Sequence, residues 1–384
     1  MADKTNLYDL TKEEMEAFVL SLGQARFRSS QLWNWLYKQL AGSFEEMTNL
    51  PKVFRETLGE NATLGTVHEV AEIRSSDGHT QKWLLELPDR EKIEAVLMEY
   101  DVRNTACVSV QVGCAYACAF CATGRMGLVR NLSAGEIVSQ IVHIERELRR
   151  QGNFEGDHAL TNIVFMGMGE PLANYNEMMK VIRILNDPEG LNIGARRMTL
   201  STVGLVPAIR RLAEEPIQVN LAVSLHSPIN EIRSELIPIN RQYPVEELMQ
   251  AVRDYIARTG RRVTFEYSMI NEVNDTPEQA RALGKLLEGL LAHVNQIPLN
   301  PVPGSPWPAS IPERIERFAA ILRSYGVPVT VRMRRGIDVA AGCGQLYAAV
   351  EGRGRSIIPI TEYPTKESVD QVAHSIITTK PQGY

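Results

Sequence analysis

Residues 106–121 read Ala-Cys-Val-Ser-Val-Gln-Val-Gly-Cys-Ala-Tyr-Ala-Cys-Ala-Phe-Cys. The first half alternates apolar, mostly β-branched residues with small or polar ones, which predicts a strand over 106–112. It breaks at Gly113 and runs straight into Cys114, Cys118 and Cys121, spaced C-x3-C-x2-C. A loop this short can wrap three thiolates around one small group. A [4Fe–4S] cube normally takes four thiolates, so three leave one iron open. Zinc is the alternative. A structural zinc site takes four protein ligands; the nearest downstream histidine is His143, and Cys107 stays open as a fourth ligand. Packing suits a lone cysteine, but not three within eight residues.

Downstream, short apolar runs alternate with amphipathic ones. Further strands are expected at 161–167, 196–202, 217–225, 262–269, 294–299 and 328–333, with helices at 133–150, 174–186, 207–214, 244–258, 277–291 and 312–324. This alternation argues for parallel βα units. The predicted fold is α/β, a partial (βα)6 barrel rather than a flat sheet. Chemistry in such barrels sits at the C-terminal ends of strands, which here carry Gly113-Cys114, Gly169-Glu170, Ser201, Ser224 with His226, and Asn300.

Upstream lies a small helical unit. Thr11 and Glu14 form a capping box, Met15, Phe18, Val19 and Leu22 share one helical face, and Gly23 stops the helix. Ser29 or Ser30 is expected to cap a second helix and Pro51 to open a third. HTQKWLLELP (79–88) and EKIEAVLMEY (91–100) read as strands joined at Pro88-Asp89-Arg90. The chain thus divides into an accessory helical domain with a linker hairpin over 1–90, a core over 91–350 and a C-terminal extension over 351–384.

Composition bounds the function. The 384 residues are 44% hydrophobic and 23% charged, which excludes a disordered or collagen-like chain. Lys+Arg total 41 against 46 Asp+Glu, a net charge of −5; a wholly basic nucleic-acid coat is excluded, a local basic groove is not. No run approaches the roughly 20 apolar residues of a membrane span. The opening residues are polar and charged, unlike a signal or transit peptide, which predicts a cytoplasmic protein. Five cysteines are too few, and odd in number, for a disulfide scaffold. Cys343, set between glycines in Ala-Gly-Cys-Gly, occupies a loop that suits nucleophilic or carrier chemistry.

The C-x3-C-x-F-C run after the first strand of a βα series resembles the radical S-adenosylmethionine (SAM) superfamily. That resemblance implies a [4Fe–4S] cluster on Cys114, Cys118 and Cys121, its open iron chelated by the amino and carboxylate groups of SAM. It also implies reductive cleavage of SAM to methionine and a 5′-deoxyadenosyl radical. Met166-Gly-Met-Gly-Glu-Pro171 then resembles the segment that holds the methionine amino group, glycine admitting close approach and Glu170 pairing with the ammonium. KIEAVLM, FMGMGEPLAN, STVG, AVSLHSP, NPVPG and RRGIDVAAGCGQL, with the helical N-terminus, extend the resemblance over nearly the whole chain to the RlmN-type RNA adenine-C2 methyltransferases.

The chemistry that this implies is radical. Adenine C2 lies between two ring nitrogens and is too electron-poor to attack a sulfonium methyl, whereas a carbon radical adds to it. In the family's scheme Cys343 takes a methyl from one SAM by polar displacement, and a second SAM supplies the radical that abstracts hydrogen from that methyl. The methylene radical adds to C2, and Cys107 attacks the sulfur of Cys343, releasing product and leaving a transient disulfide. Glu94 matches the proposed base for the C2 proton; on its residues alone it is an exposed strand glutamate facing Lys92 or solvent. Gly169, Glu170, Ser201, Ser224, His226 and Asn300 match SAM-binding positions. The implied partners are 23S ribosomal RNA, transfer RNA and an electron donor such as flavodoxin, and a monomer is the default. Arg332, Arg334 and Arg335 are the expected RNA contacts; arginine pairs at 149–150, 196–197, 210–211 and 261–262 read first as solvated element ends. Methylation at adenine C8, as in the related chloramphenicol–florfenicol resistance methyltransferase, is the alternative.

Overall fold

The computed structural model describes residues 4–65, 67–152, 159–300, 302, 305–332 and 336–346. Their strands are β1 (Thr5–Asn6), β2 (Ala62–Thr63), β3 (His68–Arg74), β4 (Thr80–Glu86), β5 (Lys92–Tyr100), β6 (Arg103–Cys107), β7 (Gln111–Gly113), β8 (Leu128–Asn131), β9 (Asn162–Phe165), β10 (Met198–Thr202), β11 (Asn220–Ser224), β12 (Val263–Met269), β13 (Ala292–Pro298) and β14 (Val329–Val331). The α-helices are α1 (Lys12–Ser21), α2 (Phe27–Tyr37), α3 (Lys52–Asn61), α4 (Ala134–Gln151), α5 (Tyr175–Asn186), α6 (Val206–Leu212), α7 (Asn230–Leu236), α8 (Val245–Thr259), α9 (Pro277–Leu287) and α10 (Pro312–Ser324).

Ten strands make one sheet in the order β14-β13-β12-β11-β10-β9-β6-β5-β4-β3. From β6 to β14 every neighbouring pair is parallel, and α4, α5, α6, α8, α9 and α10 each cross from one of these strands to the next. This is the expected partial (βα)6 barrel, ended by the short β14. On the other side of β6, β5, β4 and β3 extend the wall as an antiparallel meander.

Strand alternation decides where polar chemistry goes. Leu200, Leu221, Val223, Val263, Phe265 and Val294 are buried in the apolar core, each contributing about 1.5–3 kcal/mol by burial. Their neighbours Thr199, Ser201, Asn220, Ser224, Thr264, Glu266, His293 and Asn295 line clefts in the opposite face. The inner face of the barrel is therefore polar, and its floor is already supplied with hydrogen-bonding groups.

At the N-terminus, α1 carries the expected capping box. The Glu14 amide donates to Thr11 Oγ1 at 3.3 Å and the Thr11 amide to Glu14 Oε2 at 2.8 Å, while Met15 and Val19 are buried. Pro51 directly precedes α3. Neither Ser29 nor Ser30 caps α2: that helix begins at Phe27, and Ser29 Oγ donates to the Arg26 carbonyl from within the first turn.

One other expectation is corrected, and the structure adds two elements. The strand predicted over 106–112 stops at Cys107, and β7 leaves to pair with β8. The reason is Ser109, whose hydroxyl donates to the Glu94 carbonyl and accepts the Met168 amide, turning the chain out of the ladder. Strand β3 was not expected because it is exposed at every residue, an edge strand with no apolar face to read. Helix α7 also went unread. Arg334, Arg335, the extension 351–384 and part of NPVPG lie outside the described residues.

Candidate active site

The cysteine run forms a loop between β7 and β8. Gly113 has φ +76°, and a side chain there would strike the Gly127 carbonyl. The Cys114 amide donates to Gly127 O at 2.9 Å, Ala119 to Leu236 O at 3.0 Å and Cys121 to Cys118 O at 3.0 Å. All three cysteines line one cleft, together with Gly169, Glu170, Ser201, Ser224, His226 and Asn300. Cys107 lines a different, adjoining cavity, so it does not complete a four-cysteine set there. Among the described residues no three His, Cys, Asp or Glu side chains are grouped as ligands of a single ion. Burial pushes the three thiols up, Cys114 to about 12. A metal centre offsets such a cost, because coordination deprotonates a thiol outright. Three such donors beside a mixed polar and apolar cleft fit a cluster that keeps one corner open.

The strand ends build the rest of the cleft. Gly169 has φ +101°, and a Cβ there would lie 2.5 Å from Gln111 Cβ. Glu170 is buried. Its carboxylate accepts the Leu172 amide at 3.1 Å and the Val203 amide at 2.9 Å, and its own amide donates to Gln111 Oε1. Burial nevertheless raises its pKa to about 7; a ligand ammonium would supply the missing counter-charge.

His226 is held in the left-handed region, φ +56°. Its Nδ1 accepts the Ser268 amide at 2.8 Å and its carbonyl accepts from Asn274 Nδ2. Its ring meets the edge of Phe120 at 4.6 Å. Burial, with the Arg233 charge behind it, pulls the imidazole down to about 3. Neutral His226 therefore keeps its proton on Nε2. Its ring resonances are expected to stay unshifted from pH 5 to pH 8 in a heteronuclear NMR titration; a midpoint near 6.5 would contradict this placement.

Arg233 is fully buried below the cleft. Its guanidinium donates to the carbonyls of Leu225, Val203 and Ser224 and to Asn240 Oδ1, joining the loops after β10 and β11. Arg233→Met strands these acceptors in the core, so the urea unfolding midpoint should fall by the equivalent of about 3 kcal/mol.

Cys343 stands where the two cavities meet, lining both. Its loop is tied at several points. Asn300 Nδ2 donates to the Cys343 carbonyl at 3.1 Å, the Ala122 amide to Gly344 O at 2.7 Å, and Thr123 Oγ1 to Leu346 O at 2.7 Å. Gly342 is required because a Cβ would lie 2.6 Å from Asn300 Nδ2. From the meander, the Ser76 amide donates to Asp338 and Lys82 Nζ to the Ala340 carbonyl. Cys107 and Cys343 are both free thiols on the second, small cavity. Burial pushes Cys107 up to about 12.

A protein from Chloroflexus aurantiacus, "Probable dual-specificity RNA methyltransferase RlmN", is 48% identical over 360 residues, covering 92% of this chain and 94% of that one. "Dual-specificity RNA methyltransferase RlmN 1" of Myxococcus xanthus is 48% identical over 354 residues, covering 92% and 97%. This chain belongs to the RlmN family. The "Ribosomal RNA large subunit methyltransferase N-terminal domain" model matches residues 5–64 and the "Radical SAM superfamily" model residues 108–283. A crystal structure of a radical SAM methyltransferase from Sphaerobacter thermophilus superposes with a TM-score of 0.87 at 52% identity, covering 90% of this chain and all of that one. Membership of the RlmN family carries with it the use of SAM and a [4Fe–4S] cluster. No helix among the described residues is long and apolar enough to cross a membrane.

Two residues look different in place from what their local sequence suggests. Glu94 is not an exposed strand glutamate: it is buried and ion-paired to Lys82 Nζ at 2.9 Å. It lies on the β5 face that carries Val96, the partner of Cys107, although it lines neither cavity. Arg332 is not a free surface arginine. It lines the Cys107–Cys343 cavity, and its Nη1 donates to Cys343 Sγ at 3.5 Å. Lys82, Gln111, Arg233 and Asn274 were not singled out; their partners are distant in sequence, or are backbone groups that leave no mark in a motif. Of the arginine pairs, Arg149 and Arg150 form local ion pairs with Glu145 and Glu147.

Proposed function

We propose that this chain methylates C2 of adenine in RNA, with the methyl group carried on Cys343 before it reaches the base. One observation carries this reading: Cys343 lines both the cleft of the three clustered cysteines and the cavity that contains Cys107. A carrier thiol needs to face a methyl source on one side and a resolving thiol on the other.

In this reading Cys114, Cys118 and Cys121 hold the cluster, and Gly169, Glu170, Ser201, Ser224, His226 and Asn300 hold SAM, two molecules being used per turnover. When bound, the cluster supplies the electron that splits SAM into methionine and a hydrogen-abstracting radical. The chain's own residues do the rest. The Glu170 carboxylate faces the ammonium, and Ser201 and Ser224 offer hydroxyls. Cys343 accepts a methyl, later presents it as a methylene, and bonds to C2. Glu94, ion-paired to Lys82 at 2.9 Å, removes the C2 proton. The adduct's odd electron would return to the cluster; Cys107 then attacks the Cys343 sulfur, the S–S bond forms as the S–C bond breaks with its pair on carbon, and that carbon takes a proton, leaving methyl on the base and a disulfide on the protein.

The relatives' names support RNA as the substrate, and the N-terminal family model supports large-subunit ribosomal RNA; 23S ribosomal RNA and transfer RNA are the substrates of this proposal. Reduction by a flavodoxin-like donor, action as a monomer in the cytoplasm, and a division into an accessory unit over 1–90 and a core over 91–350 complete the proposal. The test is mass spectrometry of nucleosides from RNA treated anaerobically with reconstituted enzyme, SAM and reductant. 2-Methyladenosine is expected. 8-Methyladenosine would move the chain to the resistance-type reaction, and no methylated adenosine would reject RNA as substrate.

A further inference from the structure

Two free thiols face one cavity, and one of them has to be the methyl acceptor. Arg332 follows β14 and reaches across the cavity; its charge acts on both thiols, but its hydrogen bond falls on Cys343. Its Nη1 donates to Cys343 Sγ at 3.5 Å and its Nη2 to Met98 Sδ at 3.7 Å. Cys107 sits on the facing strand β6, opposite Val96 and beside Val164. The Glu266 carboxylate on the lumen wall also acts on the Arg332 charge, without a hydrogen bond to it, and accepts from Asn295 Nδ2 at 2.8 Å. Both of these guanidinium contacts fall on sulfur, one uncharged and one ionisable.

We infer that Arg332 is the counter-ion of the Cys343 thiolate, the group that selects Cys343 over Cys107 as the methyl acceptor. This rests on the function proposed above and deepens it. The thiolate, not the thiol, is the nucleophile. A guanidinium is always charged and is weakly hydrated, so it can sit in a partly buried cavity and still pair with an anion. The step balances. The Cys343 proton first leaves to water, and the sulfur's electron pair forms the new S–CH3 bond. The methyl–sulfonium bond of SAM breaks with its pair moving onto the departing sulfur. Anion and cation become two neutral thioethers, and Arg332 is unchanged. The methylated sulfur is then a weak acceptor, much like the Met98 sulfur that Arg332 already touches, so the same contact survives the step without holding the carbon back.

The alternative is that Arg332 meets RNA, as its position before Cys343 first suggested. The two separate in a reaction that contains no RNA. Cluster-reconstituted wild type, Arg332→Gln and Arg332→Lys, each first freed of any methyl on Cys343 by expression in a methionine-depleted, cluster-deficient host, are incubated with SAM and no reductant. Methyl on Cys343 is followed by peptide mass spectrometry, with iron content and thermal melting as controls for folding. Arg332→Gln is expected to methylate Cys343 about 10- to 100-fold more slowly, the loss of one hydrogen bond to a charged group, and Arg332→Lys to recover part of the rate. Wild-type methylation rate in Arg332→Gln, with RNA binding lost, would overturn the inference in favour of an RNA contact. Failure of the wild type itself to acquire a methyl would instead overturn the carrier mechanism, and this inference with it.

Discussion

Replacing Cys343 by alanine is expected to abolish RNA methylation, a loss of about 10⁴-fold or more, because it removes the atom that bonds to the transferred carbon rather than a group that assists it. Iron content and thermal stability should stay near wild type. Cys343 sits in a loop held through backbone carbonyls, those of Ala340, Cys343, Gly344 and Leu346, none of which the substitution touches. Nucleoside mass spectrometry after anaerobic reaction checks this; a Cys343→Ala protein that still methylates adenine would end the carrier account.

Cys107→Ala should give an equally large but different effect. Methyl still reaches Cys343 and carbon still bonds to the base, but nothing attacks the Cys343 sulfur. RNA should therefore accumulate on the protein, and turnover should stop at or below one. The attachment is a thioether, so thiol reductants cannot release it. A denaturing gel should show a protein–RNA species that survives dithiothreitol, and nuclease digestion followed by peptide mapping should place adenosine on Cys343. Cys107 is packed against Val164 and Val96, and alanine fills most of that space, so loss of fold does not compete as an explanation. An inactive Cys107→Ala enzyme with no adduct would reverse the assigned roles.

Much of this was readable along the chain, and the remainder had a common cause. Period-2 alternation at Met198–Thr202 and Val263–Met269 marks strands because one face must be buried and the other lines a polar lumen. The spacing of Cys114, Cys118 and Cys121 marks a site because a short loop can bring those sulfurs to one cleft. Neither signal reaches across the fold. Glu94 reads as solvent-exposed until β4 sets Lys82 beside it. Arg332 gives no sign in the sequence that its guanidinium will lie on Cys343 Sγ, a contact made only in the folded chain. Strand β3, an exposed edge, has no hydrophobic pattern to betray it. Ser29 has the chemistry of a cap but lies two residues inside α2, where it bonds backward to Arg26 instead.

The most direct test of the central claim follows the hydrogens of the transferred methyl. Enzyme whose Cys343 has been methylated with SAM bearing a trideuterated methyl group is given RNA, reductant and the same SAM. A methyl that rests on Cys343 and loses one hydrogen before bonding to carbon carries two deuterium atoms into the adenine and gains the third hydrogen from a proton on release. Mass spectrometry should find 2-methyladenosine with two deuteriums, and one deuterium in 5′-deoxyadenosine. Product retaining all three deuteriums would mean direct transfer of an intact methyl group, and would contradict the account.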